Sequence, residues 1–406
     1  MAGNMIRWAA VAVAAGVVTA PTAAQAKPVP PEHFGLHVAS LRWGGTPAIS
    51  VDSVRLWDAG VRWDQIERKK GKRKWGKLDR AVSAAEAAGA TEILYVLGST
   101  PRWAASTFSG VDLYGPGSAS YPRKSKYYVR YARAVAKRYK GRITAYQIWN
   151  EANTLSFYNG GKYDGWVKLA RLTKKASKTI RKVDKRADIV AASSTVIPTA
   201  KFQTESFFYR YLREIKRRNA KIDAVSVHLY PINPRQGPNA RVASIAAVRQ
   251  VMRRVGLNNK QLWDTEVNYG DRRSAAYQVV PKPKKAAGFV ARTYLDSARY
   301  GIDRTFWYGW DINVLGVSLS KPDGTPTRPG RAFVTTRDWL TAGPWKGCTS
   351  NGAVTTCKVG KSRILYASTK TSVQRPSKVT TVCKLTGKCV KAGATIKVTP
   401  APRRLK

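Results

Sequence analysis

The chain has 406 residues, 43% of them hydrophobic, with 13 Trp and 19 Tyr, and it carries 72 Lys+Arg against 24 Asp+Glu, a formal charge of +48. Aromatic and aliphatic side chains at that density fill a large core and exclude a disordered polyelectrolyte, and the length fits one domain of about 250–330 residues with a small appendage. The charge excess favours anionic surroundings such as nucleic acid, acidic glycans or wall polymers, without choosing among them.

Residues 1–26 read as a secretory signal peptide: Arg7 gives a basic start, Trp8 to Val18 an apolar stretch, and Ala24-Gln25-Ala26 a small-x-small cleavage site. The alternative is an uncleaved membrane anchor. No later stretch offers 18 uninterrupted apolar residues, so the expected product is a secreted, extracellular or cell-wall-associated monomer with no further transmembrane segment.

From 32 to 340 short apolar runs alternate with longer amphipathic ones. Strands are predicted at 33–38, 53–58, 92–98, 143–151, 188–194, 222–230, 261–269 and 304–310. Helices are predicted at 77–88, 125–139, 164–184, 204–218, 240–255, 284–300 and 329–340, with the helix after the first strand weak or replaced by a turn. Eight strands alternating with helices define an α/β protein of the (β/α)8 TIM-barrel type; a doubly wound sheet is the competitor, and the lack of a glycine-rich turn after the first strand counts against a dinucleotide-binding version. Gly/Ser/Pro-rich loops at 104–124, 231–239 and 311–330 follow strands three, six and eight, at the rim where such a barrel builds its site.

Residues 341–406 change to short Val/Thr/Ile stretches at 353–359, 363–368, 378–383 and 394–399, a small C-terminal β-rich module holding all four cysteines. In an exported chain Cys348, Cys357, Cys383 and Cys389 form two disulfides, and of the three connectivities chain order favours Cys348 with Cys357 and Cys383 with Cys389. Their spacing does not suit zinc.

Because acidic residues are scarce, those at strand ends stand out. Glu151 closes strand four in Ile148-Trp149-Asn150-Glu151, and Glu266 lies near the end of strand seven in Asp264-Thr265-Glu266-Val267-Asn268. Two carboxylates facing each other across a tryptophan-rich cleft are what glycosidic bond cleavage needs. The plain alternative for either is a salt bridge to one of the many lysines.

Trp149-Asn150-Glu151 resembles the Asn-Glu motif closing strand four in the clan of retaining glycoside hydrolases on (β/α)8 barrels (clan A), and Glu266 matches that clan's strand-seven nucleophile. Arg55-Leu56-Trp57, Trp63, Trp75 with Leu78-Asp79, and Thr100-Pro101-Arg102-Trp103 resemble the family 39 β-xylosidase-like and cellulase-like members. The resemblance spans residues 32–340. It implies Glu151 as acid/base, Asn150 as partner of the sugar 2-hydroxyl, and Arg55 as the cation keeping Glu266 ionised. One of His228 and Tyr230 would orient the nucleophile or the acid/base, and Trp307 or Trp310 would be the aromatic under the sugar, with Trp307 preferred. It further implies β-linked poly- or oligosaccharide substrates and no cofactor or metal. The accessory β-domain of those relatives is larger than residues 341–406 allow.

Trp103 is expected as a rim contact, and His37 as either a glycone-pocket residue or a buried support. Asp311 is the aspartate nearest to a substrate role, whereas Asp64, Asp79, Asp264 and Asp303 read as structural. Basic stretches at 68–77, 174–186, 214–221 and 281–285 lie away from the glutamate rim and match no nucleic-acid motif. They suit non-specific association with anionic wall polymers rather than specific nucleic acid. The rival readings are a carbohydrate-binding or polyanion-binding wall-associated protein on the same barrel, without catalysis.

Overall fold

Alternating side chains on eight short runs give each strand one face toward a common axis and one toward a helical layer. In the computed structural model, which describes residues 27–108, 111–271 and 279–406, these runs are β1 (Phe34–Leu36), β2 (Ser53–Leu56), β3 (Glu92–Val96), β4 (Ala145–Gln147), β5 (Asp188–Val190), β6 (Ala224–His228), β7 (Gln261–Val267) and β8 (Arg304–Trp307). All pair in parallel, and β8 returns to β1 to close the barrel. The leader expected over 1–26 lies outside the described residues.

A short α1 (Trp63–Ile66), unforeseen in the sequence, precedes the seven expected helices: α2 (Gly76–Ala87), α3 (Ser125–Arg138), α4 (Gly165–Val183), α5 (Phe207–Arg217), α6 (Asn239–Arg254), α7 (Pro283–Arg299) and α8 (Arg328–Thr341). A 3-10 turn, Ser40–Trp43, stands where a helix after β1 would be.

The barrel axis is filled by Leu94, Ala145, Val190, Ala224, Trp263 and Phe306, one from each of β3 to β8. Phe306 fits because β1 presents Gly35, whose added Cβ would lie 2.3 Å from the Phe306 ring. One end is closed by polar groups: Arg304 Nε and Ser53 Oγ both donate to Glu92, at 2.9 and 2.8 Å.

Beyond α8 come β9 (Trp345–Asn351), β10 (Val354–Val359), β11 (Ser362–Ala367), β12 (Thr371–Gln374), β13 (Thr381–Cys383), β14 (Cys389–Lys391), β15 (Thr395–Val398) and β16 (Arg403–Leu405). Six make a sheet in the order β14-β13-β16-β11-β10-β9, and β12 pairs with β15. The runs at β9, β12, β14 and β16 were not expected; they are short, or broken by Gly, Lys and Ser, and lack clean alternation. The disulfides are Cys348–Cys357 and Cys383–Cys389. The module packs on α7, where Tyr366 donates to Asp296 at 2.7 Å and its ring lies 4.0 Å from the Arg292 guanidinium carbon.

Candidate active site

Two irregularities in the strands set the geometry. Strict alternation from the inward Trp263 would turn Thr265 inward and Glu266 outward. Pairing steps from Val227 opposite Asp264 to His228 opposite Glu266, so β7 carries one extra residue against β6, and the same slip appears against β8. This bulge re-aims Glu266 into the barrel mouth. Asp264 fixes it from outside, accepting from Leu229 N at 3.1 Å and from the buried Arg241 of α6 at 2.6 Å.

The second irregularity follows β4. Trp149 turns outward among Tyr128 and Tyr158, Asn150 turns inward, and Glu151 takes φ of 40°, a left-handed conformation uncommon for a residue with a side chain. Its N–H donates to Ser193 Oγ at 2.9 Å, and its carbonyl accepts from Thr154 N at 2.9 Å and Thr154 Oγ1 at 3.0 Å. These bonds hold the strained turn.

Both carboxylates open on a cavity of about 640 Å³ at the C-terminal end of the strands, walled by Trp57, Asp58, Tyr114, Asn150, Phe157, Tyr230, Tyr308 and loop residues after β6 to β8. Arg55, fully buried, is the hub. It donates to Glu266 Oε2 at 3.0 Å, Asn150 Oδ1 at 2.6 Å and Gln147 Oε1 at 2.9 Å. Tyr230 donates to Glu266 Oε1 at 2.8 Å. His228 Nδ1 sits 2.8 Å from Glu151 Oε1 and 3.3 Å from Glu266 Oε2. His228 and Tyr230 share a face as their spacing of two requires.

Burial pushes the Glu151 carboxyl up to about 7; Arg55 opposes this and the Asp58 charge adds to it. Burial also pushes His228 down to about 3, against the pull of Glu266, so the imidazole is neutral and holds one proton. Its Nε2 is buried with no hydrogen-bond partner, which places that proton on Nδ1, facing the carboxylates.

One ligand atom each from Glu151, His228 and Glu266 lies within 4.8 Å of the others, a spacing that admits a metal ion. The fit is poor, because Arg55 already neutralises Glu266 at 3.0 Å and a dication would stand beside a buried guanidinium.

Glu151, Glu266, Asn150, Arg55, His228 and Tyr230 therefore converge, and His37 lies just beneath. Its Nε2 is 3.0 Å from Thr265 O and 3.4 Å from Arg55, and its ring edge packs on Tyr308 outside the cavity wall. The tryptophans differ from expectation. Trp307 points into the helical layer beside Tyr269 and donates to Val317 O at 3.1 Å. With Phe306 inward, alternation puts Trp307 out and brings Tyr308 to the cavity. Trp310 is buried between loops, and its backbone N–H donates to His37 O at 2.8 Å. Trp103 donates to Glu67 O at 2.7 Å and packs edge-on against Trp63 and Tyr127, away from the cavity. Asp311 accepts from Ala39 N and Ser40 N at 2.7 and 2.8 Å, a loop clasp instead of a substrate contact.

Sequence reasoning missed Trp57, Asp58, Tyr114, Phe157 and Tyr308. Trp57 was legible, two residues beyond Arg55 on the same strand path. Tyr114 and Phe157 come from irregular loops whose packing against Trp57, edge-on for Tyr114 and tilted for Phe157, has no periodic signal.

No protein-family model matches the chain and no curated protein matches it, but solved structures do. A family 39 glycoside hydrolase from Bacteroides cellulosilyticus aligns over 92% of this chain and 80% of its own at 17% identity, with a TM-score of 0.68. A glucosidase from Croceicoccus marinus covers 94% and 97% at 12% identity and a TM-score of 0.64. A family 44 endoglucanase from Clostridium thermocellum covers 94% and 97% at 14% identity and a TM-score of 0.55. The fold is thus the (β/α)8 barrel that these structures share, with a β-module following it.

Proposed function

We propose that the protein is a secreted retaining glycoside hydrolase acting on O-glycosidic, β-linked bonds of a polysaccharide or oligosaccharide, with Glu151 as acid/base and Glu266 as nucleophile. The observation that carries this is the pair itself: carboxyl oxygens within 4.8 Å of each other, one group holding its proton near neutrality and the other bonded by Arg55 and Tyr230. Retention requires carboxyl groups about 5–5.5 Å apart, whereas inversion needs about 6.5–9.5 Å to admit a water.

In the first step Glu151 gives its proton to the glycosidic oxygen as Glu266 forms a bond to the anomeric carbon and the aglycone leaves as an alcohol. In the second, carboxylate Glu151 takes a proton from water, whose oxygen displaces Glu266. His228 Nδ1–H on Oε1 leaves Oε2 of Glu151 for the travelling proton. Asn150, its carbonyl pinned by Arg55, is placed to meet the 2-hydroxyl, and Trp57 and Tyr308 supply aromatic walls.

A panel of aryl glycosides and plant, algal and bacterial polysaccharides tests the reading. Glu151→Ala and Glu266→Ala should both abolish release, and azide should rescue Glu266→Ala to a glycosyl azide of inverted configuration. Unchanged hydrolysis by Glu266→Ala sinks the nucleophile assignment.

A further inference from the structure

Among the described residues eleven large apolar side chains are exposed, and ten of them stand on connections that follow the barrel strands, around the end where the cavity opens; Val390 in the module is the exception. The connections at the opposite end and the outer helix faces carry none among the described residues. Leu113, Ile232 and Val314 rim the cavity itself. Others sit farther out, including Leu155 after β4 and Ile197 after β5, which are 68% and 57% exposed.

Most of these side chains are branched aliphatics. A sugar ring packs on a flat aromatic face, and the cavity already holds those in Trp57, Tyr114 and Tyr308, so the aliphatic tips suit a different contact. The exposed aromatics at this end each have a cation beside the ring: Arg42 lies 3.7 Å from Trp43, Lys162 5.3 Å from Tyr163 and Arg102 5.5 Å from Phe108. Apolar tips with cations alongside are the pattern of a surface that enters the headgroup region of a bilayer, where hydrocarbon goes in and charge stays with the lipid phosphates. A chain of charge +48 adds long-range attraction to an anionic leaflet.

We propose that this end of the barrel docks on an anionic phospholipid surface, inserting the loop tips and setting the cleft mouth against it. Taken with the glycosidase reading, on which this clause alone rests, docking delivers the cleft to glycans standing on that surface.

The test is sedimentation of the full chain with vesicles of phosphatidylcholine alone and of equal phosphatidylcholine and phosphatidylglycerol, which needs no catalysis. Wild type should sediment with the anionic vesicles only, and brominated lipid should quench tryptophan emission, Trp43 being 67% exposed. Leu155→Asn with Ile197→Asn, which leaves the charge unchanged, should weaken partition on the order of a hundredfold, with the thermal transition unmoved because both side chains are exposed. Equal binding by the double variant would reduce the contact to charge alone and overturn the proposal. So would failure of wild type to sediment, or a variant effect confined to self-association measured without lipid.

Discussion

The proton on Glu151 is governed by burial, by Arg55 and by Asp58, and each can be altered separately. Asp58 raises the Glu151 proton affinity, so Asp58→Asn should move the basic limb of kcat/KM to lower pH on whatever aryl glycoside is turned over; an unmoved limb removes Asp58 from the electrostatics. Glu151→Gln should lower kcat on unactivated substrates by about 10²–10⁴. The same variant has a stability consequence. A carboxyl whose affinity is raised on folding is destabilising once both states are ionised, so the penalty grows from pH 4.5 to 7 and persists above. Glu151→Gln should therefore unfold later in urea than wild type at pH 8, by on the order of 3 kcal/mol, and show little advantage at pH 4.5.

Strand irregularities decide what faces the cleft. The eight strands, seven helices and the carboxylates at the ends of β4 and β7 were legible because apolar periodicity and scarce charge mark them. Parity at strand ends was not: the bulge in β7 and the outward turn of Trp149 depend on partners such as Arg241 and Ser193, far away in sequence. For the same reason the choice lay between Trp307 and Trp310 and passed over Tyr308, although counting alternation from Phe306 brings Tyr308 to the cavity. Asp264 is the support of the bulge. Asp264→Ala should destabilise by about 3–5 kcal/mol by stranding the buried Arg241 charge, and Asp264→Leu with Arg241→Met should recover much of that stability without recovering activity. Full activity in the double variant would show that the bulge stands without this pair.

At the scale of the molecule, buried bases oppose the buried acid. Burial holds His228 near 3 and His33 near 4, so neither costs stability above pH 6.5, and each destabilises progressively as pH falls from 6.5 toward its folded value. Glu151 regains stability over pH 7 to 4.5. Asp264, pushed up to about 6 by burial, regains stability below that pH as well, so two groups lose while two gain: wild type should change little between pH 6 and 4.5, whereas Glu151→Gln should weaken by about 1.4 kcal/mol per unit. Urea titrations at stepped pH measure both slopes, and parallel slopes would contradict the assignment. The excess of lysine and arginine says little about the reaction, which the proposal assigns to two of the few acids.

The two disulfides have a shared placement. Cys348 on β9 joins its directly opposed neighbour Cys357, and Cys389 on β14 joins its opposed neighbour Cys383; β9 and β14 are the two outer strands of the six-stranded sheet. Each ring is short, so each crosslink contributes about 2–3 kcal/mol through the unfolded chain, and Cys383→Ser with Cys389→Ser should lower the thermal transition accordingly. The larger effect concerns how the sheet comes apart. A sheet frays from its borders inward, and a loosened border offers unpaired amides to another molecule. With both borders riveted, thiol reductant should turn this module from a closed tile into a sticky one, and turbidity should rise before the barrel has melted.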